Sequence, residues 1–337
     1  MAIFAILCGA DTWEDIQEIC EESINKLKEV LRLENGIPSV STFRRVMARV
    51  EPKRIINILQ EQACTLNGEN LDGKVIAIDG KTVRGSQDGA KKNAIHCLSA
   101  YCTDNHTVIR QIIGSKKESE ITMIPEIVSE IDLRGSTVTI DAIGCQKSVT
   151  EAIIAAGADY TIALKDNQKN SRSEVEELFN SLDPQQIGRT IDRYTSHDSG
   201  HGRIEERTTI SVNLKNYPIE ILNKFKGIKS IIQITSIVDR GEERSAERRY
   251  YISSHESNAK KQAEIIRAHW AIENSLHYVL DVIFAEDASR SRKDHLAANF
   301  STLRKLALNI LSQEKNNSPK KIRIATLRRK CLMDYRY

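Results

Sequence analysis

The chain has 337 residues, 40% of them hydrophobic and 28% charged, with a net charge of +3. That is ordinary for a soluble globular protein with room for more than one structural unit, and the bulk charge does not announce a nucleic-acid partner. Seven scattered cysteines without a Cys-x-x-Cys pair exclude a disulfide framework or a cysteine zinc site and favour a reducing, cytoplasmic setting.

The opening "MAIFAILCG" is too short to span a bilayer and has no basic leader, and no other apolar run approaches membrane length. Residues 11–33 have helical spacing, with seven acidic side chains against two basic ones over 11–29. "GIPSVSTFRRVMARV" (36–50) starts with a turn and a Ser/Thr cap and reads as a basic helix. Residues 1–70 are therefore expected to form a helical region. Next come the β-rich stretches "KVIAIDG" (74–80), "IHCLSAYCTD" (95–104) and "TVIRQIIG" (107–114), the last two joined by a short turn as in a hairpin. A helix over about 120–132, a strand at 136–142, a helix at 146–158, a strand at 159–165 and a helix over about 168–181 follow. The order β-β-β-α-β-α-β-α predicts a mixed sheet covered by helices, an α/β fold. Residues 185–255 alternate or are β-branched and read as a β-rich insertion. The helical period returns from 258 to 313, and "KNNSPKKIRIATLRRK" (315–330) holds seven basic residues and no acid. Such a tail is either a phosphate-contacting segment or a solvated, frayed terminus.

"VIAIDGKTVRGS" (75–86) raises a nucleotide reading through Gly80-Lys81-Thr82. A phosphate-binding loop needs a glycine where Val75 stands, so that loop cannot form. Asp79 remains open between a turn residue and a metal ligand placed at a strand end. Asp141 in "TVTIDAIGCQ" repeats the setting: an apolar strand ending in Asp, with a small residue and a glycine-containing loop behind it. The third candidate is Glu273 in "RAHWAIENSLHYVLDV", where His269, Glu273, His277 and Asp281 recur every four residues beside an apolar stripe. Two strand-end aspartates and a helix glutamate can hold two magnesium ions roughly 3.5–4 Å apart. Lys81, Arg84, Lys165 and Arg267, close in sequence to the three acids, are candidates for contacting a DNA strand, with ordinary surface charge as the alternative.

The motifs "IDGKTVRGS", "TVTIDAIGCQ", "YTIALKDNQ", "HGRIEER", "YYISS" and "RAHWAIENSLHYVLDVIFAED" resemble, in the same order, the signatures of the H-repeat-associated (ISAs-type) insertion-sequence transposases. "LCGADTWEDI" and "NGIPSVSTFRRV" resemble that family's helical leader, so the similarity covers nearly the whole chain. The family belongs to the DDE transposases. The resemblance implies a ribonuclease-H-like mixed sheet flanked by helices, a β-rich insertion before the glutamate helix, and Asp79, Asp141 and Glu273 as the catalytic, metal-binding triad. Arg203, His269 and His277 join Lys81, Arg84, Lys165 and Arg267 as expected DNA contacts. Where related transposases carry Tyr, Arg and Lys around the glutamate, this chain has Ile266, His269 and Leu280, which moves those phosphate contacts elsewhere, to Arg267 or His269. Against the family pattern the chain starts inside the leader's first helix and ends inside the basic tail, which suggests a shortened or decayed copy.

The expected organisation is a helical region at 1–70, a first part of the catalytic core at 71–184, the β-rich insertion at 185–255, a helical completion of the core at 256–313 and a basic tail at 314–337. The expected function is metal-dependent cleavage and strand transfer at the ends of an insertion sequence. It would use two Mg²⁺ or Mn²⁺ ions, double-stranded DNA carrying terminal inverted repeats, target DNA and a second copy of the chain. The setting would be the bacterial cytoplasm, on nucleoid DNA and away from membranes. The alternatives are a transposase-derived DNA-binding protein without turnover and a zinc hydrolase built on His269, Glu273 and His277. The histidines stand eight residues apart, roughly 12 Å along a helix, which disfavours a shared zinc ion.

Overall fold

The computed structural model describes residues 1–68, 70–87, 94–114, 120–200, 203–239, 241 and 244–333. The chain divides into two compact units. Unit 1 comprises residues 1–70, 79–119 and 271–337, and unit 2 comprises residues 71–78 and 120–270.

In unit 1 the leader forms five helices: α1 (Ala2–Leu7), α2 (Trp13–Glu22), α3 (Ile24–Val30), α4 (Val40–Arg49) and α5 (Pro52–Asn67). The single helical stretch expected at 11–33 is broken at Ser23. Thr12 and Asp15 form a reciprocal capping box on α2, and Ser39 caps α4 through the Thr42 amide. Strand β1 (Val75–Thr82) runs through both units, its last four residues lying in unit 1. Strands β2 (His96–Cys102) and β3 (Thr107–Gly114) pair antiparallel in the expected hairpin, giving the order β3-β2-β1.

The expected continuous helical run after 258 is interrupted. After a short helix α10 (Tyr278–Val282), residues 283–295 leave the helical path, with Ala285 and Asp294 in left-handed backbone conformations. The period resumes in α11 (Leu296–Asn317), which is buried on nearly all sides. Several of its polar residues find partners inside the core. The Asn309 side chain accepts from the Val108 amide at 2.8 Å and donates to the Val108 carbonyl at 3.0 Å, as a neighbouring strand would. Lys305 donates to Gln111 Oε1, and Gln111 donates to Thr302.

The basic tail is not frayed over residues 324–333. It forms α12 (Ile324–Met333) with Ile324, Leu327 and Arg328 buried. Arg328 donates to the carbonyls of Ile6, Ala10 and Ile283 and to Asp11 Oδ1.

Unit 2 holds the remaining strands in the order β1-β4-β5-β9-β8-β7-β6. β4 (Thr137–Ile140) pairs parallel with β1, Ile78 opposite Ile140, and β5 (Asp159–Leu164) pairs parallel with β4. Helices α6 (Glu120–Ser129), α7 (Lys147–Ala155) and α8 (Lys169–Ser181) alternate with them. The β-rich stretch forms β6 (Ile191–Gly200), β7 (Arg203–Asn213), β8 (Ser230–Asp239) and β9 (Arg244–Ser253), an antiparallel meander. It is not a separate sheet: β9 pairs antiparallel with β5, Ile252 opposite Ile162, and so extends the core sheet. Helix α9 (Ala259–Ala271) packs Ile266 against Ile232 and Ile234. With β1 common to both units, the run β3-β2-β1-β4-β5 is that of a ribonuclease-H-like mixed sheet flanked by helices. Among the described residues no helix is long and apolar enough to cross a membrane.

Candidate active site

The two aspartates are placed differently: Asp79, expected at a strand end, lies inside β1, which runs on to Thr82, whereas Asp141 follows the last residue of β4 as expected. Asp79 comes one residue after Ile78 on β1 and Asp141 one residue after Ile140 at the end of β4, and Ile78 and Ile140 are register partners. Each carboxylate is half-buried and anchored to its own backbone. Asp79 Oδ1 accepts from the Gly80 amide at 2.9 Å, and Asp141 Oδ1 accepts from the Ile143 amide at 2.9 Å, capping the 3₁₀ turn Ala142–Gly144.

In unit 1, Glu273 lies in a π-helical turn, Ile272–His277, and is exposed. A π turn inserts an extra residue and re-aims every side chain beyond it. At its last residue, His277 Nδ1 lies 3.5 Å from Asp79 Oδ2, and beyond it Asp281 Oδ1 lies 2.7 Å from Lys81 Nζ. Lys81, expected to face DNA, is only 10% exposed; its ammonium also contacts Glu286 at 3.0 Å and Asp287 at 3.1 Å. Burial alone would lower the Lys81 pKa, but these carboxylates, Glu286 foremost, raise it and hold the charge. Arg84, by contrast, is exposed, with its Nε 3.6 Å from Asp287.

In unit 2, Asn167 and Gln168 of the "KDNQ" motif donate to the carbonyls of Ala142 and Cys145 and brace the loop behind Asp141. Lys165 is exposed, and Arg267 is exposed and ion-paired with Asp198. Arg203 starts β7, and its side chain lies outside the described residues. His269 is largely enclosed and hydrogen-bonds the backbone of Thr139, while its Nδ1 has no hydrogen-bond partner. Burial pushes its pKa down, and the nearby Asp141 only partly opposes this. The two histidines proposed for zinc thus attend different aspartates, His269 with Asp141 and His277 with Asp79. Among the described residues no three His, Cys, Asp or Glu side chains are gathered as a ready metal cage. The donor chemistry of Asp79, Asp141 and Glu273 is all carboxylate oxygen, as hard divalent cations prefer.

The sequence reading missed the acidic set around Lys81. "LDVIFAED" carried the signal, three carboxylates within seven residues, but only their contacts with Lys81 make it legible.

Residues 70–310 match the family model described as "Transposase DDE domain", and residues 1–61 match that described as "DDE_Tnp_1-associated". The chain is 39% identical to "Putative transposase YncI" of Escherichia coli O157:H7 over 92% of this chain and 80% of that one. It is 36% identical to "H repeat-associated putative transposase YhhI" of Escherichia coli (strain K12), covering 94% and 84% of the two chains. A piggyBac transposase synaptic complex with hairpin DNA aligns with a TM-score of 0.45 at 12% identity, covering 98% of this chain and 69% of that one. The chain belongs to the DDE transposase family, with the H-repeat-associated transposases among its relatives.

Proposed function

We propose that this protein is a DNA transposase that cuts and rejoins phosphodiesters at the ends of its own element, with Asp79, Asp141 and Glu273 holding two Mg²⁺ or Mn²⁺ ions. The observation that carries the reading is the register of β1 and β4: each aspartate follows directly on one of the partnered residues Ile78 and Ile140. Bound ions of this kind supply Lewis acidity that lowers the pKa of an attacking water or 3′-hydroxyl and stabilises the leaving oxygen. The chain's own part is to fix the carboxylates. Backbone amides hold one oxygen of each aspartate. His277 stands against Asp79, and His269 lies by Asp141. Arg84, Lys165, Arg203 and Arg267 are assigned to phosphates of the DNA strand, whereas the enclosed Lys81 is assigned to holding the site together. The working form pairs two element ends, each with its own copy of the chain.

The test is incubation with labelled DNA carrying the ends of the neighbouring element, with and without Mg²⁺. Metal-dependent release of a 3′-hydroxyl end is expected. Asp79→Asn, Asp141→Asn and Glu273→Gln should each abolish cleavage and leave DNA binding largely intact, because phosphate contacts elsewhere supply most of the affinity. Wild-type cleavage in any one variant removes that residue from the triad. Metal-independent binding without cleavage by the wild type would instead identify a transposase-derived DNA-binding protein without turnover.

A further inference from the structure

Within unit 1, a cavity of about 890 Å³ opens between α4 and the segment 290–296. Six cationic side chains line it, Arg44, Arg45 and Arg49 from the helix and Arg290, Arg292 and Lys293 from the segment, against one carboxylate, Asp294. Two of the six have protein partners: Arg44 pairs with Glu14 at 2.9 Å, and Arg292 Nε donates to the Gly85 carbonyl at 3.3 Å. Arg45, Arg49, Arg290 and Lys293 are exposed and have no ion-pair partner among the described residues.

The walls of this groove are fastened by groups other than the cations. Buried Trp13 donates its indole N–H to Ser291 Oγ at 2.8 Å and stacks on Phe300 of α11 at 4.5 Å. The His295 amide donates to the Ala48 carbonyl, and the Asn299 side chain donates to the carbonyls of Met47 and Val50, closing the C-terminal end of α4. Arg45, Arg49, Arg290 and Lys293 therefore add no ion pair to that fastening among the described residues. Held side by side they repel one another, which costs stability unless an anion neutralises them. The charge is also spread over two elements. Arg45 and Arg49 lie one helical turn apart, about 6 Å along the axis, and Arg290 and Lys293 face them from the other wall. A single small anion does not need so many donors so widely placed, whereas a duplex presents one negative charge per about 1.7 Å of its axis.

We propose that this groove binds the phosphate backbone of double-stranded DNA, with Arg45, Arg49, Arg290 and Lys293 as the phosphate contacts. The choice of DNA among polyanions rests on the transposase reading; the groove itself is independent of the carboxylate triad. Its contacts position the duplex without reading its sequence.

The experiment uses the full chain and a labelled duplex of arbitrary sequence, with affinity measured across a salt series. Each neutralised phosphate contributes about 0.9 to the slope of log affinity against log salt. Arg45→Ala/Arg49→Ala and Arg290→Ala/Lys293→Ala should each flatten that slope by about 1.8, so that over a fourfold rise in salt the wild type loses about twelvefold more affinity than either variant. Arg45→Lys/Arg49→Lys should keep the wild-type slope, since it keeps the charge. The four side chains are exposed, and Arg45→Gln/Arg49→Gln offers a second neutral pair should alanine disturb α4. Neutral variants that fold and retain the wild-type slope and affinity overturn the proposal, including the case in which an acidic protein is the true occupant. If such variants keep the slope while the wild type still cleaves element ends, the groove assignment fails alone. A wild type that neither binds nor cleaves DNA defeats both readings.

Discussion

Glu286 offers the sharpest test of the charge network in unit 1. The residue is completely buried at the start of the 3₁₀ turn Glu286–Ala288, with Lys81 Nζ 3.0 Å from its carboxylate. Burial would raise its pKa, but Lys305, Lys81 and Arg304 outweigh that and bring it from 4.5 to about 2. Glu286→Gln removes the charge at nearly constant volume and leaves buried Lys305 and Arg304 without it. Removing one partner of a buried ion pair costs about 3–5 kcal/mol. The pH dependence has a definite sign. A folded pKa below the unfolded one gives stability that is complete above about pH 4.5 and lost as pH falls towards 2. A drop from 4.5 to about 2 corresponds to about 3 kcal/mol at about 1.4 kcal/mol per pH unit. Urea unfolding followed by the fluorescence of buried Trp13 should show both effects: a large loss at neutral pH, and an acid limb that is shallower in the variant. A variant within about 1 kcal/mol of the wild type at pH 7 and with an unchanged acid limb would refute the network, because 1 kcal/mol is what an exposed pair is worth.

Two further outcomes follow from packing. Deleting residues 324–337 strips the carbonyls of Ile6, Ala10 and Ile283 of the Arg328 donor, so thermal unfolding should show a loss of about 3 kcal/mol or more in addition to any change in DNA affinity; an unchanged melting temperature would return α12 to the status of a loose tail. Gly85→Ala would place a methyl group 2.2 Å from the Ser289 carbonyl oxygen and 2.6 Å from that of Asp287, backbone atoms that cannot step aside alone, so a destabilisation of about 1–3 kcal/mol is expected and a neutral effect in chemical denaturation would contradict the close approach.

The order of strands and helices was legible because each element has its own period: β1 to β5, α4 and α6 to α8 fall within a few residues of their expected places, and β6 to β9 fall within the stretch expected to be β-rich. Three features were not legible, each for a physical reason. A π turn leaves an i, i+4 polar stripe intact on paper, since nothing in "AIENSLHY" marks the extra residue. The tail reads as solvated because seven basic residues mask a short apolar face of Ile324 and Leu327, and no local pattern shows that Arg328 will find carbonyls from residues more than three hundred positions away. The basic groove was half visible. "FRRVMAR" was read as a basic helix, but the facing "RSRKDH" lay in a stretch expected to be helical, so its cations were not expected to gather opposite those of α4.

The placement of Lys81 explains how a helix segment can be held in register on a strand edge. Along a strand, residues two apart share a face and lie about 6.8 Å apart; along an α-helix, residues four apart share a face and lie about 6 Å apart. Asp79 and Lys81 are such a strand pair, and His277 and Asp281 are such a helix pair. The observed contacts match them rung for rung, Asp79 with His277 and Lys81 with Asp281. The two rungs differ in strength. Lys81 carries a permanent charge held by three carboxylates, while the His277 rung is an ion pair only when the imidazole is protonated. The Lys81 rung therefore sets the register, and the Asp79 rung follows from it. Glu273 lies four residues before His277 on the same segment, inside the π turn, so its position relative to β1 is inherited from a contact eight residues further on. A lysine two residues after Asp79 thus bears on the position of Glu273 through its contacts with Asp281, Glu286 and Asp287.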